Sequence, residues 1–153
     1  MNWSGRNVLI TGGAGHIGSH LAAELVKKGA NIRIADNLWR GKKEYLFDES
    51  GKPIIDFEKN FLELDLREME NCEKAVSGMD TIFHLADVVA GIDFVFGNEA
   101  FVYRSNILIN TNMFHAAHKV KSEKFAYVGA ACAYPLEKQN NPDQPLFKEE
   151  DMY

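Results

Sequence analysis

The chain has 153 residues, 46% of them hydrophobic and 25% charged, which is typical of one globular domain with a sizeable core. Its net charge of -5 argues against nucleic acid or an anionic membrane as the main partner. The two cysteines, Cys72 and Cys132, lie far apart, so they exclude a disulfide framework and favour a reducing cytoplasm. No apolar run approaches the roughly 20 residues that span a bilayer, and the N-terminus lacks the layout of a signal peptide.

Short apolar segments alternate with stretches of helical periodicity along most of the chain. The apolar segments predict strands at Val8–Ile10, Ile32–Ala35, Phe61–Leu64, Thr81–Ala86 and Phe125–Val128. The periodic stretches predict helices over 16–28, 67–77 and 99–119, with a loop and room for one helical turn over 37–59. This order predicts an α/β fold in which helices cover both faces of a doubly wound parallel sheet.

The end of the chain differs in composition from the rest. We expect one domain over 1–135, because the alternating pattern stops at the Tyr-Pro break of "ACAYP". Beyond it the sequence is polar and contains Pro142 and Pro145, so 136–153 is predicted to form an irregular tail.

A glycine-rich turn in "VLITGGAGHIGSHL" is the most informative stretch of the sequence. Gly12, Gly15 and Gly18 lie between a predicted strand and a predicted helix, as they do in loops that bind a diphosphate. Glycines there permit a positive φ and a close approach of the backbone to the ligand. The helix N-terminus then offers free N–H groups and a partial positive charge. The alternative is a plain glycine turn that binds nothing.

Two carboxylates after the next strands extend this prediction. Asp36 follows the second strand, where a carboxylate binds both ribose hydroxyls of an adenosine and repels a 2′-phosphate, so NAD is favoured over NADP. Nearby basic residues, Arg40, Lys42 and Lys43, weaken that preference. Asp65 follows the third strand, where it fits either a contact with adenine or a simple cap for the next helix.

Six stretches in this order resemble one enzyme family. They are "TGGAGHIGSHL", "ADN" at 35–37, "LDLRE" at 64–68, "DTIFHLA" at 80–86, "SNILINT" at 105–111 and "AACAYP" at 130–135. Together they resemble the extended short-chain dehydrogenase/reductase family, which comprises the NAD-dependent nucleotide-sugar epimerases and dehydratases. Within it, "DLREMENC", "HLADVVAGIDF" and "ACAYP" are most similar to GDP-mannose 3,5-epimerases. The resemblance covers nearly the whole chain and implies a Rossmann-type sheet of strand order about 3-2-1-4-5.

The resemblance also implies roles for individual residues. The pyrophosphate would lie on Gly12, Gly15, His16, Ile17 and Gly18, with His16 contributing its backbone. Asp36 and Asn37 would bind the adenosine ribose, and Asp65 and Leu66 would bind the adenine. The cofactor would pack against Leu85, Ala86 and Asp87. Asn106 matches an asparagine that interrupts the long helix and organises the active site, or else it is a polar surface residue. His84 is expected to be a packed imidazole rather than a catalyst. No metal-ligand spacing occurs.

The chain departs from the family pattern where catalysis is expected. The family uses a Ser or Thr, and a Tyr with a Lys four residues later, but the hydroxyl position here is Ala130. The pair with this spacing, Tyr134 and Lys138, is rejected because Pro135 blocks a regular helix after Tyr134. Cys132 matches a family acid/base that moves protons on sugar carbons, or else it is a small buried residue.

Two interpretations of the whole chain follow. The first is the NAD-binding portion of a nucleotide-sugar epimerase or dehydratase, with the catalytic Tyr-Lys pair and the sugar-binding lobe absent, so that the chain alone is inactive. Its relatives dimerise through the helix that matches 99–119, which implies a homodimer here. The alternative is a non-catalytic dinucleotide-binding or interaction module, which the missing hydroxyl at Ala130 favours. A complete small reductase is disfavoured because no usable Tyr-Lys pair is present.

Overall fold

The computed structural model describes residues 2–130, 133–140, 143 and 146–152. The first half contains β1 (Asn7–Thr11), α1 (His16–Lys27), β2 (Asn31–Asp36), a 3-10 turn (Lys43–Leu46), α2 (Phe57–Asn60), β3 (Phe61–Glu63) and α3 (Met69–Val76). The second half contains β4 (Thr81–His84), α4 (Ile92–Gly97), α5 (Glu99–Val120), β5 (Lys124–Tyr127), α6 (Leu136–Gln139) and a 3-10 turn (Glu149–Met152). No helix in these described ranges is long and apolar enough to cross a membrane.

The five strands form one parallel sheet of order β3-β2-β1-β4-β5. This order confirms the predicted doubly wound topology. The order in which strands are added reverses at β1, because β2 and β3 lie on one side of it and β4 and β5 on the other. Ile10 of β1 accordingly pairs with Ile34 of β2 on one side and with Phe83 of β4 on the other. In such sheets a crevice opens at the carboxyl ends of the strands on either side of the reversal, and this crevice positions the site described below.

Two hydrophobic cores lie on opposite faces of the sheet. Val8 and Ile10 belong to the core that α1 covers, whereas Leu9 belongs to the core that α3 and α5 cover. Successive residues of a strand point to opposite faces, so a fully apolar strand can serve both cores. Val8, Leu9 and Ile10 are all completely buried. The predicted helices on both faces are therefore confirmed.

Several element boundaries differ from the prediction. The fourth strand ends at His84 rather than Ala86, because the side-chain hydroxyl of Thr11 binds the N–H groups of the next two residues. The 37–59 segment is more structured than expected, with a 3-10 turn, α2 and an antiparallel bridge between Phe47 and Pro53. The short helix α4 was not predicted. Within 136–153 the described residues form two single turns, and the division of the chain at residue 135 stays a prediction.

Candidate functional site

A cavity of about 670 Å³ opens at the carboxyl ends of the strands. Every residue predicted to bind the cofactor lines it except Asn106. These residues are Gly12, Gly15, His16, Ile17, Gly18, Asp36, Asn37, Asp65, Leu66, Leu85, Ala86 and Asp87. Residues that the sequence did not indicate also line it, among them Trp39, Tyr45, Val89, Ile109, Asn110 and Tyr127.

The glycine turn between β1 and α1 depends on the absence of side chains. Gly12 has a φ of 65°, and a Cβ there would stand 3.0 Å from the backbone N and Cα of Ala86. A Cβ on Gly18 would stand 2.5 Å from the carbonyl oxygen of Gly12. The distance at Gly18 is too short for a real side chain, and at Gly12 a tight contact is combined with a positive φ, so glycine is favoured at both positions where the turn packs against the wall after β4 and the first turn of α1.

The N-terminus of α1 faces the cavity without a side-chain partner. Gly15 is the N-cap, no side chain caps the helix, and no acidic residue lies in its first turn. His16, Ile17 and Gly18 line the cavity at this point, and the Ile17 side chain is 67% exposed. The first N–H groups of a helix have no intrahelical acceptor and carry a partial positive charge. This end of the cavity therefore fits a diphosphate.

Asp36 connects the glycine turn to the loop that follows β2. Its Oδ2 accepts a hydrogen bond from the Ala14 N–H at 3.0 Å, and its Oδ1 accepts one from the Leu38 N–H at 2.8 Å. Gly41 lies against the same carboxylate, since a Cβ there would stand 2.8 Å from Oδ1. Asp36 is only 8% exposed, yet each carboxylate oxygen has a second lone pair that a ribose hydroxyl can use.

Asp65 is held by Arg67. The guanidinium Nε of Arg67 donates to both carboxylate oxygens at 3.0 Å, and the Arg67 backbone N–H donates to Oδ1 at 3.0 Å. These bonds hold the pKa of the Asp65 carboxyl below its usual value. The carboxylate thus lines the cavity in its charged form, just before α3, and Leu66 beside it is buried.

His84 lies in the wall opposite the glycine turn and makes two polar contacts. Its Nδ1 lies 2.7 Å from the Thr11 hydroxyl oxygen, and its Nε2 lies 2.9 Å from Oδ1 of Asn110. The imidazole is 2% exposed, so the expected packed histidine is confirmed. Burial lowers its pKa to about 4, which keeps the ring neutral near pH 7.

The structure contradicts one part of what the resemblance implied for Asn106, namely that it interrupts the long helix, while its role in organising the site stays a prediction. Helix α5 continues unbroken through Asn106, and its side chain lies outside the cavity lining. Its Oδ1 accepts from the Val88 N–H at 2.7 Å, and its Nδ2 donates to the Val88 carbonyl at 3.3 Å. Asn106 therefore holds the cavity wall from behind. Asn110, four residues later on the same helix face, reaches the cavity instead, and this spacing was the signal that could have identified it.

The far end of the cavity is poor in reactive groups. Gly129 and Ala130 line it beyond Tyr127, and neither has a side-chain hydroxyl. The predicted acid/base Cys132 lies outside the described residues. Tyr134 stacks on Phe147 with ring centroids 4.6 Å apart, and its partner in the rejected pair, Lys138, binds Asp151 at 2.6 Å. Neither side chain of that pair lines the cavity. Among the residues described, no group of three or more His, Cys, Asp or Glu could hold a metal ion.

The chain is similar to known proteins of one family. Residues 8–153 match the NAD dependent epimerase/dehydratase family. The GDP-mannose 3,5-epimerase of Arabidopsis thaliana is 33% identical over 153 residues, which are 99% of this chain and 38% of that enzyme. A UDP-N-acetyl-alpha-D-glucosaminuronate decarboxylase of Bacillus cytotoxicus is 34% identical over 119 residues, 77% of this chain and 35% of that protein.

Solved structures of epimerases are also similar to this chain over nearly its whole length. The epimerase Mth375 of Methanothermobacter thermautotrophicus matches with a TM-score of 0.78 and 28% identity, over 97% of this chain and 41% of that one. The UDP-glucose 4-epimerase of Thermus thermophilus, solved in complex with NAD, matches with a TM-score of 0.73 and 26% identity, over 95% and 43% of the two chains. The chain therefore spans well under half the length of the relatives that it matches. It belongs to the NAD-dependent epimerase/dehydratase family.

Proposed function

We propose that this chain binds NAD in the crevice and forms the cofactor-binding part of a nucleotide-sugar epimerase or dehydratase. One observation carries the proposal. The uncapped N-terminus of α1 and the carboxylate of Asp36 line the same cavity at adjacent strand ends. That arrangement suits a diphosphate next to a ribose. The NAD complex of the Thermus relative supports it.

Each part of the cavity has a role in binding. The backbone N–H groups of His16 and Ile17 would hold the diphosphate, and Asp36 with Asn37 would hold the adenosine ribose. Asp65 and Leu66 would hold the adenine. The wall at 85–87 would fix the position of the cofactor. When bound, NAD would accept a hydride from a sugar carbon and later return it to the sugar.

The charges around Asp36 favour NAD over NADP. A 2′-phosphate would stand beside a carboxylate that is nearly buried. Lys43 is the nearby basic side chain that pairs with a carboxylate, Glu63, at 3.1 Å, whereas Arg40 lines the cavity and keeps its charge. The preference for NAD therefore rests on the charge and burial of Asp36, and Arg40 and Lys42 weaken it.

The proposed substrate class is a nucleotide sugar, bound at the end of the cavity near Tyr127. Cys132 remains the proposed acid/base. A second candidate function is a dinucleotide-binding module without catalysis, and the lack of a hydroxyl at Gly129 and Ala130 favours it. Incubating the chain with NAD and GDP-mannose, then following the sugar by NMR, tests whether the chain catalyses a reaction by itself. We expect no epimerised sugar, and its accumulation would establish turnover by this chain.

A homodimer through α5 is also proposed. Tyr103, Ile107 and Phe114 share one stripe of this helix and are 72%, 46% and 46% exposed. Contiguous exposed apolar side chains of this kind are typical of an interface. A cytoplasmic location is proposed as well, on the low cysteine content and the free thiol of Cys72.

Calorimetric titration with NAD and NADP tests the cofactor assignment. We expect wild-type protein to prefer NAD, and Asp36→Asn to weaken NAD binding by about tenfold and to narrow the gap to NADP. Asp48→Asn is the matched control, because the Asp48 carboxylate also accepts two backbone N–H groups, from Ser50 at 2.9 Å and Lys52 at 3.0 Å, outside the cavity. The proposal fails if wild type binds no NAD, or if both variants bind it equally.

A further inference from the structure

Three side chains from different elements meet in the cavity wall. The Thr11 hydroxyl at the end of β1 accepts hydrogen bonds from the N–H groups of Leu85 and Ala86, each at 3.1 Å. The same hydroxyl lies 2.7 Å from Nδ1 of His84, and Nε2 of His84 lies 2.9 Å from Oδ1 of Asn110 on α5. A continuous row of hydrogen bonds therefore runs from the backbone after β4, through β1, to α5.

The direction of each bond in this row follows from the number of lone pairs. The N–H groups of Leu85 and Ala86 both donate to the Thr11 hydroxyl oxygen, and the Leu85 N–H is shared with the Thr11 carbonyl at 3.3 Å, so the hydroxyl hydrogen is the one left to donate. It goes to Nδ1 of His84, which must then be unprotonated. The ring proton lies on Nε2 and is donated to the side-chain oxygen of Asn110. With Oδ1 of Asn110 as the acceptor, this neutral tautomer satisfies every group, and a proton on Nδ1 would compete with the two backbone N–H groups for the Thr11 hydroxyl oxygen.

The groups that the row holds form the wall opposite the glycine turn. Leu85 and Ala86 line the cavity, and the N and Cα of Ala86 lie 3.0 Å from where a Cβ of Gly12 would be. A shift of this backbone by a few tenths of an ångström would therefore change its contact with the turn. His84 and Asn110 themselves also line the cavity.

We propose that His84 and Asn110 are positioning residues, which orient the Thr11 hydroxyl and thereby hold the backbone of Leu85 and Ala86 where the cofactor packs. The inference rests on the proposed binding of NAD in this crevice. It gives α5 a direct influence on the cofactor wall, because Asn110 is the member of the row that α5 contributes.

Among the groups that face His84, Asn110 is the one whose substitution by a carboxylate would change the protonation of the imidazole. Thr11 faces the ring from β1, Asn110 faces it from α5, and the rings of Phe125 and Tyr127 face it from β5 at 5.7 and 6.1 Å between centroids. Tyr127 is the titratable group among them, and none of the four has a carboxylate. A carboxylate at position 110 would therefore be the nearest charge to the imidazole, and it would favour its protonated form.

Two variants of Asn110 and one control test the proposal in the full chain. Asn110→Leu removes the acceptor of the Nε2 proton, and Asn110→Asp replaces it with a carboxylate. Thr111→Asp is the control, because it adds the same charge at an exposed neighbouring position of α5; since Thr111 lies beside Ile107 in the proposed dimer stripe, its oligomeric state is compared with wild type by light scattering. NMR of the protein without cofactor measures amide hydrogen exchange at Leu85 and Ala86 and the ¹⁵N shifts of His84. Calorimetry measures NAD binding between about pH 8 and pH 6, where an ordinary histidine titrates.

For Asn110→Leu we expect about tenfold faster exchange at Leu85 and Ala86 and about tenfold weaker NAD binding. For Asn110→Asp we expect His84 to become protonated within the pH range, so that NAD binding weakens as the pH falls. If the new carboxylate at position 110 acted only by repelling the diphosphate, its neutralisation at low pH would strengthen NAD binding. A weakening of NAD binding as the pH falls therefore distinguishes the loss of the Thr11 bonds from simple charge repulsion. Wild type and Thr111→Asp should show no such weakening.

Unchanged exchange in Asn110→Leu, or NAD binding by Asn110→Asp that does not weaken at low pH, would overturn the proposal. A result that contradicts the proposed binding of NAD can be told apart from one that contradicts the role of Asn110. In that case wild type binds no NAD, while the exchange rates of Leu85 and Ala86 still show whether Asn110 holds the wall.

Discussion

Ala86 packs directly against Gly12, so that a methyl group on Gly12 would stand 3.0 Å from the Ala86 N and Cα. The Gly12 N–H also donates to the Ala35 carbonyl at 2.8 Å, so the turn after β1 touches the ends of both neighbouring strands. The crevice is narrow at this point because no side chain separates β1 from the wall after β4. A ligand lying there meets backbone on both sides.

Gly12→Ala should therefore destabilise the protein for two reasons. The φ of 65° costs an alanine roughly 1–2 kcal/mol, and the clash with Ala86 adds to it. Gly51→Ala is the matched control, because Gly51 has a φ of 78° with nothing within 4 Å of its Cβ position. Urea denaturation should show a larger loss for Gly12→Ala, and NAD titration should show weaker binding for that variant alone. Equal losses in the two variants would contradict a role for the contact with Ala86.

The carboxylate of Asp87 should oppose the binding of a diphosphate, although the backbone at 85–87 is the wall against which the cofactor is proposed to pack. The Asp87 carboxyl lines the cavity, and desolvation raises its pKa above the usual value. Since the folded pKa is raised, the contribution of Asp87 to stability is present at low pH and is lost as the pH rises through that pKa. Asp87→Asn should therefore be more stable than wild type near neutral pH and should bind NAD a few-fold more tightly.

Asp93→Asn is the control for this prediction, because Asp93 is exposed on α4 outside the cavity lining. It removes the same charge, and thermal unfolding with NAD titration should leave it close to wild type. A gain in NAD affinity of the same size in Asp93→Asn would attribute the effect to net charge rather than to the position of Asp87.

The Asp65–Arg67 pair should contribute to stability in a pH-dependent way. The folded pKa of Asp65 is lowered, so the contribution is present above the unfolded pKa of about 3.9 and is lost as the pH falls through the folded value. Both side chains are 33% exposed, so solvent screening limits the effect to less than about 1 kcal/mol. Denaturation of Arg67→Met should show a flatter loss of stability below about pH 4 than wild type.

Lys27→Met is the comparison for the Asp65 prediction, because it breaks the more exposed pair of Lys27 with Glu24 on α1. NAD titration adds a second measurement. Arg67→Met should bind NAD more weakly, since Asp65 loses the partner that orients it, whereas Lys27→Met should not. Unchanged NAD affinity in Arg67→Met would show that the orientation of Asp65 is unimportant for binding.

The proposed dimer through α5 should depend on the exposed stripe of that helix. Light scattering should give a dimer for wild type and a monomer for Tyr103→Glu combined with Ile107→Glu, because two charges in an apolar interface are costly to bury. Leu146→Glu is the control, since Leu146 is 93% exposed and lies outside α5. A wild-type monomer, or a dimer that survives the double substitution, would contradict the proposal.

The sequence by itself determined the strand and helix order, the parallel sheet, the glycine turn and the aspartate at the end of β2. Each of these has a local signature, because strands covered on both faces are apolar at consecutive residues and glycines are needed where a backbone turns sharply. The positions of Asp36 and Asp65 at the edge of one cavity also followed from the sequence, since the carboxyl ends of parallel strands meet at the same edge.

Only the tertiary structure decided which side chains complete the site. The end of β4 at His84 depends on a hydroxyl from Thr11, which is 73 residues away, and the second partner of His84 is Asn110 on α5. Likewise, Asn106 lies behind the wall and not inside the cavity because of how α5 packs. Such hydrogen bonds join residues that are distant in the chain. The four-residue spacing places Asn106 and Asn110 on one helix face, but it does not indicate that Val88 and His84 are their partners.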